Sequence, residues 1–199
     1  MNFDFSEDQV SLRDAVQRWV EKGFSFERRH ALAKAGGATR EVYAELAELG
    51  LAGLAVPEAH GGMNFGPVEA MVVMEELGRG LVNAPFAEAA LVAPALLAGA
   101  PEAVQAAWLP RMAEGSALVV PALQERRGRY KLEATDTTAT AAGDGFTLTG
   151  SKSVVPAGDE ADAFIVSARH GNGTGLFLVE RPPPRCAATR RRMAPVRPK

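Results

Sequence analysis

A chain of 199 residues with 47% hydrophobic side chains is long enough for one large domain or two small ones and too apolar for wholesale disorder. Its formal net charge is -2, but residues 182–199 hold five Arg, one Lys, five Pro and no acid, leaving residues 1–181 with 16 basic and 24 acidic side chains, net -8. That balance excludes nucleic-acid or anionic-membrane binding by the body of the chain through charge. The single cysteine, Cys186, rules out a disulfide framework within one chain and fits a reducing cytosol. The first residues, Met1-Asn2-Phe3-Asp4-Phe5, lack the basic start and apolar core of a signal peptide. Residues 84–100 are the richest apolar stretch, but Pro85, Glu88 and Pro94 cut it below the roughly 20 apolar residues needed to span a bilayer. A cytoplasmic location is expected.

Residues 1–115 read as a helical block. Ser6 and Gln9 have the spacing of a capping box, and Leu12, Ala15, Val16, Trp19 and Val20 follow on one helical face. Thr39 is placed to cap a helix carrying Val42, Tyr43, Leu46 and Leu49, which stops at Gly50. A short apolar run leads to a Pro57-Glu58 turn and a Gly61-Gly62 loop. Pro67 then opens a further helix, where its missing amide proton costs nothing. Met71 and Met74 are expected in the core with Val72 and Leu77, and Glu75 and Glu76 at a solvated helix edge. Two more helical stretches are expected near 85–97 and 102–112.

Past Gly115 the pattern changes. Residues 117–123 form an apolar run and 135–142 are rich in Thr and Ala. Asp144-Gly145 signals a tight turn before Phe146-Thr147-Leu148-Thr149. Val154-Val155 and the stretches 163–167 and 176–179 follow, so residues 116–180 read as an antiparallel β domain. Helices followed by strands argue for an α+β fold with two domains. Gly171-Asn172-Gly173-Thr174-Gly175 lies between two strands without a following helix and reads as a hairpin turn, not a phosphate loop. His30, His60 and His170 lack metal-ligand spacing, so no metal site is expected. Ser116, Ser151 and Ser153 have no nucleophile-elbow context. Residues 181–199 have neither helical nor strand periodicity. A change of reading frame near Glu180 and a disordered basic tail are the two readings of that segment.

Several motifs occur in a recognisable order. They are the Pro57-Glu58 and Gly61-Gly62 element, Met74-Glu75-Glu76-Leu77-Gly78-Arg79, Asp144-Gly145-Phe146-Thr147-Leu148-Thr149-Gly150-Ser151-Lys152, and Ala161-Asp162-Ala163-Phe164-Ile165-Val166. Together they resemble the acyl-CoA dehydrogenases, flavoenzymes that desaturate acyl-CoA thioesters between Cα and Cβ. The resemblance implies a helical N-terminal domain, an incomplete middle β domain, a missing C-terminal helical domain, and FAD as cofactor. The family's catalytic glutamate lies in that C-terminal domain, so no catalytic residue is assigned in this chain.

The departures from the family pattern are also informative. Where typical members carry Thr-Glu-Pro-x-x-Gly-Ser-Asp, this chain has Gln124-Glu125-Arg126-Arg127-Gly128-Arg129-Tyr130, in which only Glu125 keeps its identity. Val154-Val155-Pro156 replaces the usual Trp-Ile-Thr. This variant resembles the small subunits of pimeloyl-CoA dehydrogenase-type enzymes, which pair with a large subunit and act on dicarboxylyl or other bulky acyl-CoAs. By resemblance, Leu123, Gln124, Val154 and Pro156 face the flavin ring. Arg129 takes the place of a flavin-phosphate contact and Tyr130 that of a substrate contact. The partners implied are an acyl-CoA substrate and a large subunit or a second copy of the chain. The alternatives are a non-catalytic partner of a large subunit, or a fragment without function.

Overall fold

A computed structural model describes residues 4–37, 39–128, 131, 135–143 and 145–181. It divides into two compact units, Met1–Ser116 and Ala117–Lys199. The fold is α+β, a helical unit followed by a five-stranded sheet.

Helix α1 (Glu7–Gly23) starts at the expected capping box: the Gln9 amide donates to Ser6 Oγ at 3.2 Å, and the Ser6 amide to Gln9 Oε1 at 3.0 Å. Val16 and Val20 are its buried residues. Helix α2 (Phe26–Lys34) is not announced by the sequence, because it fully buries none of its residues and so has little apolar periodicity. Polar anchors hold it instead. Ser25 caps it, Arg28 donates to the Gly23 carbonyl and pairs with Glu45, and Arg29 donates to the Gly80 carbonyl at 2.7 Å.

Helix α3 (Thr39–Glu48) buries Val42, Tyr43 and Leu46. Gly50, at φ 81°, ends this segment in the left-handed conformation. Two single 3-10 turns follow, Leu51–Gly53 and Glu58–His60. The backbone then folds back on itself: Met63, Asn64 and Phe65 donate to the carbonyls of Gly53, Val56 and Leu54 at 2.8–2.9 Å. These bonds draw the Pro57-Glu58 and Gly61-Gly62 element into a tight loop.

Helix α4 (Pro67–Arg79) has Pro67 in its first turn, and Glu69 ties it to α1 by accepting from Gln9 Nε2 at 2.8 Å. Two expectations are corrected here. Val72, Val73 and Leu77 are core, but Met71 is 51% and Met74 41% exposed. Glu75 is exposed as expected, whereas Glu76 is 1% exposed. Glu76 stands one turn beyond Val72 and Val73, so the helical period that buries the valines also buries the glutamate. The stretch near 85–97 is a π turn (Ala87–Val92) running into α5 (Ala93–Leu97), and α6 (Glu102–Ala113) buries Trp108, Leu109 and Met112.

The second unit holds β1 (Val119–Ala122), β2 (Thr138–Ala142), β3 (Gly145–Thr149), β4 (Ala163–His170) and β5 (Gly173–Glu180). The hairpins β2/β3 and β4/β5 are antiparallel, as expected. β1 and β2 instead run parallel to β4, so the sheet is mixed. The residues between β4 and β5 are Gly171, at φ 57°, and Asn172, a two-residue turn. Val154-Val155 is not a strand. Val154 has φ 54°, which breaks the extended conformation that a strand requires. Residues 182–199 lie outside the described residues.

Candidate functional site

Strand β4 organises the sheet unit. β5 pairs with it from Ala163 to His170 and occupies one edge throughout. β1 and β2 therefore share the other edge. The register of β1 ends at Ala122 opposite Val166, and that of β2 begins at Thr138 opposite Arg169. The edge is interrupted between these points, where the chain departs after β1 and rejoins at Thr137, whose carbonyl accepts from the Arg169 amide at 2.8 Å.

A buried polar cluster fills the interruption. Glu125 and Lys152 are each 6% exposed and meet at 2.8 Å. Glu125 Oε1 also accepts from the hydroxyls of Thr135 and Thr137 and from the Thr137 amide, and Oε2 accepts from the Asp136 amide at 2.6 Å. Lys152 Nζ shares its three protons between Glu125 and three further acceptors, Ser167 Oγ at 2.9 Å, Thr135 Oγ1 at 3.0 Å and the Leu123 carbonyl at 3.3 Å. Burial pushes the Glu125 carboxyl up, but the Lys152 ammonium, the two threonine hydroxyls and the Asp136 amide outweigh it and hold the group well below the usual carboxylate range. The carboxylate is thus a fixed charge, satisfied on both oxygens.

Four of the residues singled out from the sequence sit beside this cluster. Leu123 is half-buried, and its carbonyl also accepts from Ser167 Oγ at 3.2 Å. Gln124 is exposed, and its carbonyl accepts from the Ser153 amide at 2.9 Å, which lays the 123–124 and 153–156 stretches side by side. Val154 is 65% exposed and Pro156 is exposed. Arg129 and Tyr130 lie outside the described residues. Leu123, Val154 and Pro156 carry apolar side chains and Gln124 an amide. Pro156 has no amide proton to add. Sequence reasoning missed Lys152, Thr135, Thr137 and Ser167 as members of the cluster. The available signal was Glu125, the one loop residue that keeps its identity.

The family model described as "Acyl-CoA dehydrogenase, N-terminal domain" matches residues 6–116. This chain belongs to the acyl-CoA dehydrogenase family. It is similar to the acyl-CoA dehydrogenase FadE27 of Mycobacterium tuberculosis, 34% identical over 152 residues, covering 75% of this chain and 39% of that protein. It is also similar to the benzylmalonyl-CoA dehydrogenase of Aromatoleum aromaticum, 30% identical over 190 residues, covering 92% of this chain and 50% of that protein. Among solved structures, the ChsE4-ChsE5 complex from Mycobacterium tuberculosis matches with a TM-score of 0.78 and 31% identity, over 90% of this chain and 49% of that one. The chain spans half or less of the length of these relatives.

Two of the histidines of this acyl-CoA dehydrogenase chain sit against aromatic rings. His30 stacks on Phe26, and His170 meets Phe146 edge-on at 4.9 Å. Among the described residues, no three His, Cys, Asp or Glu side chains are grouped to hold a metal ion, and no helix is long and apolar enough to cross a membrane.

Proposed function

We propose that this chain serves FAD-dependent α,β-desaturation of an acyl-CoA thioester, as the small-subunit type of a pimeloyl-CoA dehydrogenase-like enzyme acting in the cytoplasm with a large subunit. The observation that carries the reading is the backbone bond from Ser153 to Gln124, which lays the strip 123–124 beside 153–156 on the sheet unit of an acyl-CoA dehydrogenase chain. The chemistry supplied by FAD, were it bound, would be acceptance of the hydride that leaves Cβ. The strip would support the ring by apolar contact, with the Gln124 amide as a donor. Arg129 is the proposed phosphate contact and Tyr130 the proposed acyl-CoA contact. A bulky or dicarboxylyl acyl group is the proposed substrate class, in keeping with the name of the benzylmalonyl-CoA relative.

The α-proton requires a base whose pKa lies near working pH. Glu125 does not meet that need, because Lys152 and four other donors hold it ionised and buried. Its geometry favours a second reading, a non-catalytic partner that shapes the pocket of a large subunit carrying the base. Purification of the chain alone and with a large subunit, followed by anaerobic addition of a dicarboxylyl-CoA, separates the two from a self-sufficient enzyme. Yellow protein that bleaches only in the pair is the expected result. Bleaching by the chain alone would overturn the dependence on a partner. Colourless protein in both preparations would overturn the flavin reading.

A further inference from the structure

The Glu125 carboxylate joins both ends of a chain excursion. At one end it belongs to the stretch that leaves β1. At the other it accepts from Thr135, Asp136 and Thr137, ten to twelve residues later, where the chain re-enters the sheet. Through Lys152 it is also linked to the Leu123 carbonyl and to Ser167 of β4. The next residue after the lysine, Ser153, makes the bond that lays the 153–156 stretch against Gln124. These groups gather at the interruption in the β4 edge, between the end of the β1 register and the start of the β2 register.

We propose that Glu125 is a positioning residue: its carboxylate clasps Thr135, Asp136 and Thr137 to the stretch that leaves β1 and, with Lys152, sets the 123–124 and 153–156 stretches in one register for ligand binding. The ligand part of this inference rests on the flavin reading above; the clasp does not. A hydrophobic pair would pack the same space, but it would not bond the Asp136 and Thr137 amides, which have the carboxylate as acceptor. The charge is therefore placed for loop geometry more than for stability.

Three measurements test the proposal. Amide hydrogen exchange on the unaltered full chain should protect Asp136 and Thr137 to the level of the β4 amides. Rapid exchange at both would overturn the clasp without any variant. Tryptic cleavage after the exposed Arg126 and Arg127, followed by mass spectrometry, should accelerate roughly tenfold in Glu125→Gln, the size expected for losing a charge-assisted bond. The core variant Val120→Ala should change that cleavage by less than about twofold when both are compared at equal distance below their own melting points. Equal acceleration in the two variants would reduce Glu125 to a merely structural role. Should Glu125→Gln fail to fold, Thr137→Val removes one hydroxyl donor and should still raise cleavage several-fold. FAD titration by quenching of flavin fluorescence should show weaker binding in Glu125→Gln than in Val120→Ala. Binding equal in these two variants would overturn the ligand part of the proposal. If the unaltered chain in complex with its large subunit takes up no FAD, the flavin reading fails, and the exchange and cleavage results still decide the clasp.

Discussion

Gly62 lies so close to Val56 that a Cβ on the glycine would stand 2.1 Å from the Val56 carbonyl oxygen and 2.5 Å from its carbonyl carbon and Cβ. The obstacle is mostly backbone, and it belongs to a loop already fastened at Met63, Asn64 and Phe65. Gly62→Ala should cost about 2–3 kcal/mol, the range for overpacking a site that cannot relax. Its neighbour Gly61 sits at φ 82° with nothing within 4 Å of a built Cβ, so Gly61→Ala should cost only about 1 kcal/mol of backbone strain. Denaturant midpoints of the two variants check the contrast, and equal losses would contradict it.

The ion pair of Glu125 and Lys152 should make stability sensitive to acid. A carboxyl whose folded-state pKa lies below its unfolded value stabilises the fold above the unfolded pKa. It loses that contribution as pH falls toward the folded value. The unfolding free energy should therefore fall more steeply for the unaltered chain than for Glu125→Gln between about pH 5 and pH 3. At neutral pH Glu125→Gln should be the less stable by about 3–5 kcal/mol, because it strands a buried ammonium. Chemical denaturation across that range reads both. Parallel pH profiles would remove Glu125 from the linkage.

Glu45 gathers two elements, accepting from Trp19 Nε1 at 3.2 Å and from Arg28 Nη1 at 3.0 Å. The Arg28 guanidinium holds its carboxyl below the usual range. Both partners are about a quarter exposed, so solvent screens the pair. Glu45→Gln should cost roughly 1 kcal/mol and alter the fluorescence of Trp19. An unchanged emission spectrum would argue against the indole bond.

The capping box of α1 is a local device with a local cost. Ser6→Ala removes the acceptor for the Gln9 amide and should destabilise by about 1 kcal/mol, while Ser6→Gly should cost a few tenths. Thermal melts order the two variants, and a reversed order would show that the hydroxyl carries no weight.

What the sequence settled on its own is what depends on neighbouring residues. Ser6 and Gln9 are three apart, Pro67 opens its helix through its own ring, and Gly171-Asn172 turns one strand back on the next. Helix caps and tight turns close within about four residues, so their partners are written side by side. The order of motifs along the chain likewise carries the family resemblance without any tertiary contact.

The tertiary structure decided the rest, because the partners are far apart and the outcome depends on what else is buried. Helix α2 carries no apolar face to read and is held through Arg28 and Arg29 by residues from other segments. Met71 and Glu76 exchange their expected surroundings because packing selects which face of α4 turns inward. The parallel pairing of β1 and β2 with β4 joins residues some 30 to 45 positions apart. Glu125 meets Lys152 across 27 residues, and desolvation at the interrupted edge is what makes their bond obligatory.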